Sequence, residues 1–150
     1  MKVVIQRVSE ADVSIDSTCV GEIGIGYLVL LGIENEDTTE DIIWLSNKIC
    51  NLRVFADSEG NMNKSILDVD GNILLISQFT LHAKTKKGNR PSFIRAANPE
   101  IAIPLYEEMV EQLNIDLDKK IETGKFGAMM DIQLINSGPV TIIIDSKNKD

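Results

Sequence analysis

The sequence predicts a single mixed α/β domain, spanning residues 1–150, in which curved, antiparallel-rich β-sheets pack against two helices. Three observations support this fold class. Apolar, β-branched runs of strand length recur along the chain, two segments carry helix-start signals followed by an apolar stripe, and no internal repeat or linker divides the sequence. With 150 residues, of which 43% are hydrophobic, the chain can bury one substantial core.

The N-terminal part is predicted to be mostly β-strand. Residues 3–8 are rich in β-branched side chains, which is typical of a strand. Residues 12–15 and 21–23 are expected to pair as a short hairpin around Asp16-Ser17. Residues 27–33 form a continuous apolar run, which indicates a strand covered on both faces.

The first helix is predicted to begin at Thr38. Its hydroxyl can cap the helix, and the acid Asp41 three residues later completes a variant of the capping box. One apolar face then follows at helical spacing, formed by Ile42, Leu45, Ile49 and Leu52. After this helix, residues 53–55 have strand character, residues 57–61 form a turn, and Asp70-Gly71 turns the chain into a strand over residues 72–81.

The second helix is predicted to begin at Asn98-Pro99, a capping residue followed by proline at the first helical position. Leu105, Met109 and Leu113 supply its buried stripe. Pro104 falls inside this segment, so the helix either begins later, near Ala102, or is kinked.

Residues 136–141 interrupt a long apolar stretch near the C-terminus. The flanking residues 129–135 and 141–144 have strand character, but proline cannot donate a ladder hydrogen bond. Gly138-Pro139 must therefore turn the chain, form a bulge or leave the sheet. Glycine lets a ligand approach the backbone closely, and proline adds rigidity and access to a cis bond. An ordinary turn is the alternative interpretation.

Composition excludes several classes of protein. The net charge of −8 argues against general nucleic-acid affinity, although five basic residues lie within residues 84–95, which contain no acid. That stretch can hold a few phosphates. No apolar run is long enough for a membrane span or signal peptide, so a cytoplasmic location without membrane association is expected. The two cysteines have no metal or redox spacing and are expected to be buried free thiols.

Conventional catalytic groups are scarce. His82 is the only histidine, so no multi-histidine zinc site is expected, and neither a metal nor another cofactor is predicted. Ser77 lacks the glycine-flanked elbow of a nucleophile, and a strand would place it and His82 on opposite faces. Residues 77–80 form a polar patch that is either a site or a strand reaching the surface. Phe93, among basic residues, can stack on an exposed base or serve the core.

Six collinear segments resemble the D-aminoacyl-tRNA deacylase family. These segments are Ile5-Gln6-Arg7-Val8, Gly21-Glu22-Ile23-Gly24, Ser77-Gln78-Phe79-Thr80-Leu81, Gly88-Asn89-Arg90-Pro91-Ser92-Phe93, Thr123-Gly124-Lys125-Phe126 and Asn136-Ser137-Gly138-Pro139-Val140-Thr141. The resemblance covers nearly the whole chain. It implies the family's fold and hydrolysis of the ester between a D-amino acid and the 3′ end of tRNA.

The resemblance also implies a homodimer in which each Gly138-Pro139 loop, with a cis bond, enters the partner's site. Gly138 and Pro139 would form a chiral filter facing the partner subunit's Thr80: the Gly138 carbonyl accepts a hydrogen bond from the substrate amine, and an L side chain collides with the loop. Arg7 would brace the partner's loop. Since glycine has no side chain to reject, glycyl-tRNA is also expected to be cleaved.

The remaining roles implied by the resemblance concern catalysis and tRNA. Ser77, Gln78, Phe79 and Thr80 would line the catalytic wall, with backbone N–H groups as an oxyanion hole. The terminal adenosine would contact Phe93 and residues 126–130, including Phe126 and Met130, and the acceptor-stem phosphates would contact basic residues including Lys86, Lys87 and Arg90. No base adjoins Thr80, so catalysis assisted by the RNA 2′-hydroxyl is expected. A non-catalytic RNA-binding module and a small-substrate esterase using Ser77 or Thr80 are the alternatives.

Overall fold

One large sheet, a small hairpin and two helices form the fold of the computed structural model, which describes residues 1–150. The large sheet contains β1 (Lys2–Ile15), β2 (Thr18–Ile23), β3 (Gly26–Gly32), β6 (Asn72–Ser77), β7 (Glu122–Thr123) and β8 (Asp131–Asp145). The hairpin consists of β4 (Phe55–Ala56) and β5 (Met62–Lys64), and the helices are α1 (Thr39–Asn51) and α2 (Pro99–Leu117). The predicted mixed α/β class is confirmed.

The large sheet has the order β2-β1-β3-β6-β7, and β8 pairs with β1 on its other side. The β3–β6 and β6–β7 pairs are parallel, whereas β1 is antiparallel to β2, β3 and β8. Residues 3–8 and 12–15, predicted as separate strands, belong to one strand. The first half of β1 pairs with β3 and the second half with β2, so β1 links the two parts of a curved sheet.

The main core lies between the sheet and the helices, and a smaller apolar cluster lies on the other side of the sheet. Strand β3 is buried along almost its whole length, as expected for a strand covered on both faces. On α2, the Tyr106 hydroxyl donates to the Leu75 carbonyl oxygen of β6 over 3.0 Å. Burial raises the pKa of Tyr106 to about 12, so this donor keeps its proton. The contact holds α2 beside the end of β6.

Both predicted helix starts are confirmed. Thr38 and Asp41 form a capping box at α1, in which the Thr38 backbone N–H donates to Asp41 Oδ2 over 2.9 Å. At α2, Asn98 Oδ1 accepts from the Ile101 backbone N–H over 3.2 Å. The helix begins at Pro99 with Pro104 inside it, so the later start near Ala102 is wrong.

Two further expectations need correction. The strand after Asp70-Gly71 ends at Ser77, and Phe79–His82 form a 3-10 turn rather than the end of that strand. Because His82 lies in this turn, strand alternation does not place it opposite Ser77, and its side chain is buried at 4% exposure. Cys50 is buried as expected, but Cys19 is exposed. Neither helix is both long and apolar enough to cross a membrane.

Candidate active site

A cavity of about 380 Å³ opens where β6 ends. Ser77, Gln78 and Phe79 form one wall, and the segment from Phe126 to Met130 forms another. The cavity therefore brings together two segments that are almost fifty residues apart in sequence. The other lining residues are Leu31, Ile33, Ile76, Ala97, Ala102 and Ile132.

None of the cavity-lining side chains is titratable, so the walls hold no general acid or base. The single histidine, His82, lies outside the lining, with Nδ1 3.8 Å from Glu34 Oε2 and with Nε2 buried without a partner. No three His, Cys, Asp or Glu side chains are grouped so that they could hold a metal ion. The cavity offers apolar surface, a serine hydroxyl, an amide and backbone groups.

Thr80 follows the cavity wall and is held by Gln78. Gln78 Nε2 lies 2.7 Å from Thr80 Oγ1 and donates to it. An amide is not a base, so this contact orients the hydroxyl without activating it as a nucleophile. The first hydrogen bond of the 3-10 turn runs from Leu81 N to the Gln78 carbonyl. The N–H groups of Phe79 and Thr80 precede it and take no part in the turn's bonding.

Phe93 packs against this wall. The rings of Phe79 and Phe93 meet edge to face with centroids 5.0 Å apart, and Phe79 is 56% exposed. Lys84 and Ser92 exchange two backbone hydrogen bonds, of 2.8 and 3.0 Å, which close an exposed loop beside this pair. That loop carries Lys86, Lys87 and Arg90. An aromatic pair and a basic loop therefore adjoin the cavity.

The segment around Gly138 and Pro139 forms a wide bulge within β8. Gln6 pairs with Thr141 and Val8 pairs with Asn136, so residues 137–140 lie opposite a single residue of β1, Arg7. The Gly138–Pro139 peptide bond is cis, and both residues are exposed. Of the three outcomes considered from the sequence, the bulge is the one observed.

Arg7 braces this bulge within the same chain. Its Nε donates to the Ser137 carbonyl oxygen over 2.8 Å, and Nη1 donates to the Val54 carbonyl oxygen. Arg7 thus holds the loop of its own chain, and the contact with the partner's loop that the resemblance implies stays a prediction. Gly138 has φ +143°, and a Cβ added there would lie 2.9 Å from both Arg7 Nη2 and Val140 Cγ2. Only glycine fits this backbone without displacing its neighbours.

The bulge lies level with the start of β3, whereas Ser77 lies level with its end. Arg7 pairs with Tyr27 of β3, whereas Ser77 pairs with Leu31. Four residues of strand separate these levels, a distance of about 13 Å, and three strand spacings add about 14 Å across the sheet. The sequence-predicted site residues therefore form two groups, with Arg7, Gly138 and Pro139 in one and residues 77–80, Phe93, Phe126 and Met130 in the other.

Two positions, Asn136 and Gly124, lie in the segments that resemble the family, but reasoning from the sequence gave them no role. The Asn136 side chain closes the neck of the bulge through hydrogen bonds to Val140 and Thr141. An asparagine beside a Gly-Pro turn is the signal that could have indicated it, because Asn bonds readily to nearby backbone. Gly124 makes room for the cavity wall, since a Cβ there would lie 2.4 Å from the Met130 sulfur.

Sequence comparisons with known proteins agree on one family. A family model described as D-Tyr-tRNA(Tyr) deacylase matches residues 4–145. The chain is 62% identical to a D-aminoacyl-tRNA deacylase of Flavobacterium psychrophilum, and 61% identical to one of Bacteroides fragilis, in both cases over the full length of both chains.

Two solved structures share the fold. One, described as a c-Myc DNA unwinding element binding protein, has a TM-score of 0.91 and 42% identity, covering 97% of this chain and 98% of that one. The other, a probable eukaryotic D-amino acid tRNA deacylase, has a TM-score of 0.82 over 95% of this chain and 97% of that one. At 15% identity, the second comparison supports the fold alone.

Proposed function

This chain belongs to the D-Tyr-tRNA(Tyr) deacylase family, and from that premise we propose that it hydrolyses the ester of D-aminoacyl-tRNA and spares the L enantiomer. One observation carries the stereochemical part. A braced, exposed Gly138-Pro139 bulge accompanies a cavity that has no titratable side chain. Such a protein is equipped to select and orient a substrate rather than to supply conventional acid–base groups.

The cavity is the proposed place for the 3′ end of the tRNA. Its volume and mostly apolar lining suit a small ligand such as a nucleoside. The terminal adenosine lies against Phe126 and Met130 and is flanked by the aromatic pair of Phe79 and Phe93, which offers a stacking surface. Met129, 89% exposed at the mouth, extends the apolar contact.

Phosphates of the acceptor stem bind the loop closed by Lys84 and Ser92. Its exposed cations, Lys86, Lys87 and Arg90, stand beside the aromatic pair. The net charge of −8 on the whole chain repels the rest of a long polyanion, so this footprint is small. A cytoplasmic location follows from this substrate.

A second copy of the chain completes the site. Within one chain the bulge lies too far from the cavity to touch a ligand bound there, whereas a two-fold partner can place its own bulge over the cavity, so that each bulge faces the partner subunit's Thr80. Strand β8 pairs only with β1, which leaves its other edge free. Exposed apolar side chains also accompany it, including Ile143 at 69% exposure. Both features suit a surface that a homodimer covers.

Selection works by steric exclusion. The Gly138 carbonyl accepts a hydrogen bond from the substrate's α-amino group, which fixes the direction of the side chain at the α-carbon. An L side chain then collides with the bulge, and a D side chain points away from it. Glycyl-tRNA presents no side chain to collide and is therefore cleaved as well.

Hydrolysis relies on the RNA for activation of water. Thr80 Oγ1 is bonded to an amide and adjoins no base. The terminal 2′-hydroxyl of the tRNA positions or activates the water, while the N–H groups of Phe79 and Thr80 stabilise the oxyanion. The protein's contribution is orientation and charge stabilisation.

Matched D- and L-tyrosyl-tRNA distinguish this proposal from its alternatives. We expect rapid release of D-tyrosine, slow release of L-tyrosine and no turnover of tyrosine ethyl ester without RNA. Binding of tRNA without release of the amino acid would indicate an RNA-binding module. Turnover of the simple ester at a comparable rate would indicate an esterase that uses Ser77 or Thr80.

A further inference from the structure

We propose that Asn136 is a positioning residue that sets the stereoselectivity of the site by closing the neck of the Gly138-Pro139 bulge. This inference rests on the proposed function and adds a residue to it. The side chain of Asn136 makes three hydrogen bonds, all to the residues where the bulge rejoins the strand. We refer to this arrangement as the Asn136 clasp.

In the clasp, both polar atoms of the Asn136 side chain bond to the backbone of Val140. Asn136 Oδ1 accepts from the Val140 N–H over 2.8 Å, and Nδ2 donates to the Val140 carbonyl oxygen over 3.1 Å. Nδ2 also lies 3.1 Å from Thr141 Oγ1. The amide thus replaces the ladder bonds that Val140 cannot make, because no β1 residue is left to pair with it.

The clasp fixes the bulge at Val140, where the chain returns to the strand, and Arg7 fixes it at Ser137, where the chain leaves the strand. Arg7 Nε bonds to the Ser137 carbonyl, the first residue of the bulge, but the Arg7 side chain makes no hydrogen bond to Val140. Val140, the returning arm of the bulge, is therefore held by Asn136. Gly138 and Pro139 lie between these two restraints and have no side-chain hydrogen bond of their own.

This arrangement affects selectivity more than rate. The D substrate needs the Gly138 carbonyl in place but does not press on the bulge. The L substrate is accommodated when the returning arm yields by about an ångström, and the clasp opposes that movement. Loosening the neck therefore admits the L enantiomer before it stops cleavage of the D enantiomer.

The test compares Asn136→Ala and Asn136→Asp with the intact protein in single-turnover deacylation of D- and L-tyrosyl-tRNA. The aspartate variant keeps the size of the side chain but replaces the donor that faces the Val140 carbonyl with an oxygen. We expect the ratio of D to L rates to fall about thirtyfold in both variants, equivalent to about 2 kcal/mol, with the D rate changing less than threefold. Asn51→Ala is the matched control, because Asn51 bonds only to Asn47 on α1.

Hydrogen exchange of the Val140 amide gives a second readout that is independent of tRNA. Exchange should accelerate at least tenfold in Asn136→Ala and stay unchanged in Asn51→Ala, with equal melting temperatures showing that the fold is intact. An unchanged D to L ratio in Asn136→Ala overturns the inference and leaves the proposed function standing. If the ratio of D to L rates falls in Asn136→Ala but keeps its wild-type value in Asn136→Asp, the effect comes from side-chain volume and not from hydrogen bonding. That result also overturns the inference. If the unmodified protein does not discriminate between D- and L-tyrosyl-tRNA, both this inference and the proposed function are overturned.

Discussion

Replacing Thr80 by alanine separates catalysis by the protein from catalysis assisted by RNA. In the structure the hydroxyl has one side-chain partner, Gln78 Nε2 at 2.7 Å. A neutral hydrogen bond of this kind is worth about 0.5–1.5 kcal/mol, and losing all of that from the transition state would lower the rate about two- to twelvefold. Gln78 is half-buried, so water can take the place of the missing hydroxyl. We therefore expect Thr80→Ala to retain between a tenth and a half of the single-turnover rate.

The assay is release of D-tyrosine from D-tyrosyl-tRNA with enzyme in excess, so that chemistry and not product release is observed. Thr80→Ser is the matched control, because it keeps the hydroxyl and should react at close to the wild-type rate. If Thr80 is the nucleophile, Thr80→Ala should lose a thousandfold or more while Thr80→Ser stays active. That outcome, in variants with unchanged melting temperature, would refute the RNA-assisted mechanism.

Four further predictions follow from the geometry. A D-aminoacyl-tRNA whose terminal adenosine lacks the 2′-hydroxyl should be cleaved at least a hundredfold more slowly in the same assay, and full activity on it would contradict the mechanism. Gly138→Ala should lower the D rate at least tenfold, because its Cβ must displace neighbours 2.9 Å away; a normal rate would show that the bulge does not contact the substrate. Replacing both Lys86 and Lys87 by alanine should weaken tRNA binding and reduce the slope of log affinity against log salt by at most about 2, with the single-turnover rate at saturating enzyme unchanged. Burial alone raises the pKa of Asp41, but hydrogen bonds including that from Lys147 outweigh it and lower this pKa to about 2. Because the unfolded value is about 3.9, Asp41 stabilises the fold by roughly 2–3 kcal/mol above about pH 5, and this contribution is lost as the pH falls towards 2. Urea titrations of Asp41→Asn should therefore show a loss of that size at pH 7 and a flatter pH dependence below pH 4.

Local signals in the sequence were sufficient where a few neighbouring residues determine the structure. The caps at Thr38 and Asn98 were found because a hydroxyl or amide beside the first turn satisfies free N–H groups whatever the rest of the chain does. The end of β6 was misplaced because Phe79 and Leu81 continue an apolar run. This segment folds into a 3-10 turn because of tertiary contacts, which cannot be predicted from the spacing of apolar residues along the sequence.

The candidate site shows the same division. Motif resemblance identified residues 77–80 and Gly138-Pro139, but not that a single chain holds them level with opposite ends of β3. That separation depends on the register of β1 against β3 and β8, which is a non-local property. The intrachain brace by Arg7 and the Asn136 clasp depend on the same register, because residues 137–140 must first lie opposite Arg7.

The claim that the bulge excludes L side chains, rather than recognising D side chains, is tested most directly by comparing glycyl, D-alanyl and L-alanyl esters on one tRNA. The three substrates differ only in whether the α-carbon carries a methyl group and in the configuration of that methyl group. Steric exclusion predicts that single-turnover deacylation is rapid for the D-alanyl and glycyl esters and at least a hundredfold slower for the L-alanyl ester. Cleavage of the D-alanyl ester with both others spared would contradict exclusion, and equal rates on all three would remove the chiral filter.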